Sequence, residues 1–133
     1  MKHLSKRLTS LIIISVLIIV TSICVYAEDQ YCNGTYNGTS YTGHLDVTWG
    51  YLGTSDKADA ETYWGGKANY KVRVDLRRGN SDGSTDNWVH QSGQYSAFRT
   101  LTLGDAWQFI SRHSVVDWND TVYVDYGLVL SDW

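Results

Sequence analysis

Tyr70-Lys71-Val72-Arg73-Val74-Asp75-Leu76-Arg77 alternates without a break. Tyr70, Val72, Val74 and Leu76 fall on one side, and Lys71, Arg73, Asp75 and Arg77 on the other. A helix would scatter both sets around its axis, whereas a strand separates them at a period of two. One apolar and one charged face suits an antiparallel sheet with one side on a core and the other in water. The stretch Tyr41-Thr42-Gly43-His44-Leu45-Asp46-Val47-Thr48-Trp49 repeats the pattern, with Tyr41, Leu45, Val47 and Trp49 on the apolar side.

Outward from these two runs, strands are predicted at Asn87 to Gln91, Ser96 to Leu103, His113 to Trp118 and Thr121 to Leu130. Asn119-Asp120 makes a turn before the last of them. Gly104 to Ser111 reads either as a strand or as a helical turn, capped by Asp105 with Trp107 and Ile110 three apart. Asn33-Gly34 and Asn37-Gly38 are the dipeptides of tight hairpin turns, because both residue types tolerate positive φ. The chain has no proline, so Gly, Asn and Asp must make the turns, and charge must protect the sheet edges. Short strands separated by such turns predict an all-β fold: a small antiparallel β-sandwich of about 6–8 strands.

The chain opens with Lys2, His3, Lys6 and Arg7, turns apolar from Leu11 to Ile23 and reaches Val25-Tyr26-Ala27. A basic patch, an apolar run and a small-residue exit make a secretory signal peptide. Cleavage is expected after Ala27, with a retained anchor as the alternative. The expected organisation is a signal peptide at 1–27, a Gly/Asn-rich N-terminal segment at 28–40 and the sandwich at 41–133. The exported protein is expected to be extracellular and not inserted in a membrane.

Three of the 11 Lys and Arg precede Ala27 and all 14 acids follow it, leaving a formal charge of −6. That argues against nucleic acid as a partner. Lys71, Arg73, Arg77 and Arg78 are the one candidate basic patch in the sequence. Cys32 is the one cysteine left after Ala27, so no internal disulfide forms. It is either a buried thiol or the link in a homodimer.

Arg77-Arg78-Gly79-Asn80-Ser81-Asp82-Gly83-Ser84-Thr85-Asp86-Asn87-Trp88 spaces its oxygens as calcium loops do. Only Asp82 and Asp86 are charged, the glycine is misplaced for a helical calcium loop and the closing Glu is missing. The stretch reads first as a solvated hairpin loop, with a weak calcium site at Asp82 and Asp86 as the alternative. His44, His90 and His113 are too far apart in sequence for a typical zinc site, and no nucleophile elbow is present. No cofactor is expected otherwise. Paired carboxylates for glycoside hydrolysis leave no sequence mark, which keeps a small hydrolase as the third reading of function.

All six tryptophans and nine of the ten tyrosines follow Ala27. A core of this size does not hide six indoles, so some must line a surface, and Tyr and Trp favour interfaces. Trp49, on the apolar side of its strand, reads as core. Tyr63 and Trp64, before Gly65-Gly66, and Trp88, beside the acidic loop, are the candidate ligand-binding residues. The leading reading is a secreted all-β binding protein that uses surface aromatics on a carbohydrate or cell-envelope ligand. The second is a secreted effector, because the composition is similar to that of small all-β bacteriocins rich in Gly, Tyr and Trp.

Overall fold

The structure, a computed structural model, describes residues 26–51, 54–66, 69–104 and 106–132. The expected leader up to Val25, the Asp105 cap and Trp133 lie outside the described residues. Eight strands form two four-stranded antiparallel sheets, with no helix among the described residues. They are β1 (Tyr26–Tyr36), β2 (Thr39–Trp49), β3 (Asp56–Trp64), β4 (Tyr70–Gly79), β5 (Val89–Gly93), β6 (Ser96–Leu103), β7 (Gln108–Asp117) and β8 (Val122–Ser131). One sheet runs β1-β2-β3-β6 and the other β5-β4-β7-β8. The sheets stack face to face as a β-sandwich, with β2 and β3 facing β7 and β4.

The alternating residues decide which face is dry. Leu45 and Val47 of β2, Val72, Val74 and Leu76 of β4, and Phe109 and Val115 of β7 are fully buried between the sheets. Trp49 joins them, its ring 5.6 Å from that of Phe109. At the Asn37-Gly38 turn, φ is +49° and +75°. Two positive φ values match the right-handed twist of the flanking strands. Asn33-Gly34, the other candidate turn, instead lies inside β1, where Gly34 leaves room for the ring of Tyr41. At the second predicted turn, Asp120 has φ +64°, and the Asp117 carboxylate accepts from the amides of Asn119 and Thr121 at 2.8 and 2.9 Å.

Two strands were not predicted from the sequence. The inward residues of β3 are Asp56, Ala58, Ala60, Thr62 and Trp64. Small and polar residues have weak strand preference and disguise the alternation. The segment expected as a Gly/Asn-rich lead-in is mostly β1, paired with β2 from Tyr26↔Trp49 to Tyr36↔Thr39. The region offered as a possible helical turn also extends a strand. β7 starts at Gln108, with Phe109, Ser111 and His113 turned inward.

One polar group crosses the dry layer. His113 is fully buried, its Nδ1 2.8 Å from Thr62 Oγ1 on the opposite sheet and its Nε2 2.8 Å from Ser111 Oγ. Burial pushes its pKa down from 6.5 to about 4. Gly43 makes the space: a Cβ there would sit 2.3 Å from His113 Cγ and 2.6 Å from Cys32 Sγ. Cys32 is itself a buried free thiol, and burial raises its pKa. The Cys32 sulfur faces the interior of the sandwich.

Gly43→Ala is expected to destabilise the fold by about 1–3 kcal/mol through overpacking against the imidazole, measured by chemical denaturation. The core holds the neutral imidazole, so the unfolded chain takes up the proton first. Stability is therefore full above pH 6.5 and falls as pH drops from 6.5 toward 4, by about 3 kcal/mol. Thermal unfolding across that range should show a falling Tm, with a shallower slope in a His113→Gln variant.

Candidate functional site

The strand ends near the Asn37-Gly38 turn collect aromatic rings. Tyr36 closes β1, Trp64 closes β3, Tyr70 opens β4, Tyr95 precedes β6 and Tyr123 lies near the start of β8. Tyr36, Tyr70 and Tyr123 form a mutual cluster with centroids 5.3 to 5.7 Å apart. Trp64 packs on its flank, 6.2 Å from Tyr36 and 6.1 Å from Tyr70. The Tyr36 hydroxyl is held above its ordinary pKa first by its hydrogen bond with Tyr70.

On the other side of Trp64 lies an open cleft of about 380 Å³, lined by Ser40, Thr42, Tyr63, Trp64, Gly65 and Tyr95. The local fold explains the lining. Strand alternation turns Tyr63 outward and Trp64 inward, while the amide of Trp64 donates to the carbonyl of Tyr95 at 2.9 Å and fixes the β5–β6 turn beside it. Tyr63 and Tyr95 remain 49% and 58% exposed, so both rings are available for stacking. Thr42 Oγ1 donates to Asn33 Oδ1 at 2.9 Å, which leaves its lone pairs free to accept. The Tyr63 hydroxyl is held above its ordinary pKa, first by its hydrogen bond with Glu61.

The expectation of an exposed Trp64 ring is corrected here. Trp64 is only 3% exposed, and its Nε1 donates to the Thr39 carbonyl at 3.3 Å. It forms the floor of the cleft, not a projecting platform. Gly66 gives the ring its place: a Cβ there would come within 1.9 Å of Trp64 Cε3. Trp88 is not part of this cleft. It lies beside β5 in the other sheet, with the Arg77 and Arg112 guanidinium carbons 4.1 and 5.1 Å from its ring centroid. Sequence reasoning missed Tyr95, which sits in the Gly93-Gln94-Tyr95 connection between two predicted strands. The short link there implied a turn, and a tyrosine in a turn is a signal for surface display.

The acidic loop is organised around its own backbone. Asp82 Oδ1 accepts from Ser84 N at 2.9 Å and Ser84 Oγ at 2.6 Å, while Asp86 pairs with Arg78 Nε at 3.0 Å. Gly83, at φ +83°, supplies the bend. These hydrogen bonds hold Asp82 below the usual carboxylate range. Asp82 and Asp86 thus engage separate partners, and no group of three or more His, Cys, Asp or Glu placed to hold a metal occurs among the described residues. A second cavity of about 290 Å³, lined by Asn80, Ser81, Ala106, Trp107 and Asp132, contains one carboxylate. The aromatic cleft contains none. Neither offers the carboxylate pair that glycoside hydrolysis uses.

Fold and cleft together define an all-β sandwich with an aromatic-lined surface site. No protein-family profile, curated protein or solved structure matches the chain.

Because Trp64 is core and Tyr95 is surface, truncating them should differ sharply. Trp64→Ala is expected to lower stability by about 3–5 kcal/mol in chemical denaturation. Tyr95→Ala should stay within about 0.5 kcal/mol of the unaltered protein.

Proposed function

We propose that the chain is an exported binding protein that holds an uncharged segment of a cell-envelope glycan in the cleft between Tyr63 and Tyr95. The observation that carries this reading is the make-up of the cleft. Exposed tyrosine rings stand over a tryptophan floor, the Ser40 and Thr42 hydroxyls lie at the side, and no charged side chain is in the lining. Aromatic faces pack against the apolar faces of sugar rings, and tyrosine does so at low entropic cost. Hydroxyls placed beside them fix the orientation of the sugar, as the few polar groups of a binding site do. The cleft volume of about 380 Å³ suits one or two sugar rings of a longer chain. The basic and apolar leader in the sequence supports export, which brings the cleft to its ligand.

Affinity electrophoresis against a panel of neutral polysaccharides and isolated cell-wall glycan tests the reading. Tyr63→Ala and Tyr95→Ala should each weaken retention about 2–10-fold, the loss of one aromatic contact. Trp88→Ala should retain the unaltered affinity. If the tyrosine variants are retained as well as the unaltered protein, the cleft does not hold the glycan.

A further inference from the structure

We propose a second ligand site on the opposite face of the molecule: the outer surface of the β5-β4-β7-β8 sheet binds phosphate groups of an extended anionic polymer. This site shares no residue with the aromatic cleft and does not depend on it.

Alternation along β4 sends Lys71, Arg73, Asp75 and Arg77 outward, and the register sets Arg112 of β7 beside Asp75. These are four of the eight Lys and Arg that follow Ala27. Asp75 is 1% exposed beneath two guanidiniums. Arg73 Nε donates to its Oδ1 at 2.9 Å, and Arg112 Nε lies 3.5 Å from its Oδ2. One buried carboxylate thus orients two cations and leaves one positive charge in excess. Arg77 adds another, since no carboxylate among the described residues forms an ion pair with it. Its head stacks on Trp88 at 4.1 Å, with Arg112 near the same ring at 5.1 Å. The stacking pre-orients both guanidiniums, so less entropy is lost when an anion arrives.

The geometry selects among anions. A carboxylate presents two oxygens in one plane, and Asp75 already fills that role. Arg77 and Arg112 approach the Trp88 ring from different strands, and Arg77 is steadied further by donating to Thr85 Oγ1 at 3.0 Å; donors on separate strands suit a tetrahedral group whose oxygens leave in several directions. Guanidinium forks match phosphate oxygens in pairs. A second cation–indole pair lies further along the same strand, where Lys71 Nζ is 5.8 Å from the Trp118 centroid. Lys71 also pairs with Asp120 at 2.8 Å, so this end is the weaker contact. Six residues along a strand separate the two pairs by about 20 Å, a span for a polymer with repeated phosphates rather than for a single ion. The outer face of the other sheet carries Asp29, Asp46, Asp59 and Glu61 against Lys57. It repels a polyanion and turns the protein basic side first. Arg77 lies over the Trp88 ring and takes a stacking face that a nucleic-acid base would use, which favours a sugar- or polyol-phosphate chain.

The test is affinity electrophoresis of the purified protein in poly(glycerol phosphate), with polygalacturonate and single-stranded DNA as separate arms. The phosphate polymer should retard the unaltered protein, less so as salt rises. Inorganic phosphate should displace it, and acetate at equal ionic strength should not. Arg77→Gln should weaken retention about tenfold, the loss of a charge-assisted hydrogen-bond donor. Arg77→Lys should fall between, and Thr102→Ala, exposed on β6 of the other sheet, should bind as the unaltered protein does. Thermal unfolding checks that each variant is folded. The Trp88 indole NMR signal, assigned with Trp88→Phe, should shift with the polymer in the unaltered protein. Absence of retardation, full retention by folded Arg77→Gln, equal retention by polygalacturonate or stronger retention by DNA would each overturn the proposal.

Discussion

The stacking of the two sheets is fixed by one polar bridge through an otherwise apolar layer. Hydrophobic contact between Leu45, Val47, Val74 and Val115 drives the sheets together, but such contact has little directional preference. The hydrogen bond between Thr62 of β3 and His113 of β7 does have direction, because it forms only where the hydroxyl and the imidazole face each other. Thr62 also donates to the Arg73 carbonyl at 3.4 Å, so β3 is held to both central strands of the facing sheet. Sliding one sheet by a residue would strand the imidazole Nδ1 and the Thr62 hydroxyl away from water, at roughly 1–3 kcal/mol each. Gly43 is the concession that lets the ring fit. Tyr63 and Trp64 follow Thr62 directly, so the cleft at the end of β3 inherits its position from this bridge.

Most of the sandwich was legible because period-two alternation is a direct imprint of a half-buried strand. The runs 41–49 and 70–77 carry that imprint in large apolar side chains, and both lie inside strands. Where the inward residues are alanine and threonine, as in β3, or Cys32 and Gly34, as in β1, the same geometry leaves almost no compositional trace. Pairing with a neighbour creates those strands, and pairing partners are distant facts that a local window does not contain. β7 was shortened for a related reason, since its inward Ser111 and His113 look like surface residues until the bridge is known.

The aromatic surface was legible in kind but not in arrangement. Tyr63 and Trp64 line one cleft, yet strand parity turns Trp64 inward, and Trp88, in the link between β4 and β5, sits among guanidiniums on the other sheet. The basic patch read from Lys71, Arg73, Arg77 and Arg78 also changed membership. Arg78 turns to Asp86 in the loop, and Arg112, 34 residues further on, takes its place through the β4–β7 register. A strand distributes neighbouring side chains between two environments, so adjacency in sequence overstates adjacency on the surface.

The order of strands within the sheets carries a consequence for how the chain assembles. β1, β2 and β3 form a meander of consecutive hairpins, which can close early because its loops are short. The pairings that complete each sheet are of another kind: Asp56 meets Leu103 and Tyr70 meets Asp117. Each joins residues 47 positions apart. Such closures come late and make the relaxation slow, on the millisecond-to-second scale of topologically complex β-proteins. Until β6 arrives, β3 presents a free edge of backbone donors and acceptors to any strand that passes. Lys57, Asp59 and Glu61 on its outer side make that interval safer, because charged side chains along an edge discourage a stranger from docking there.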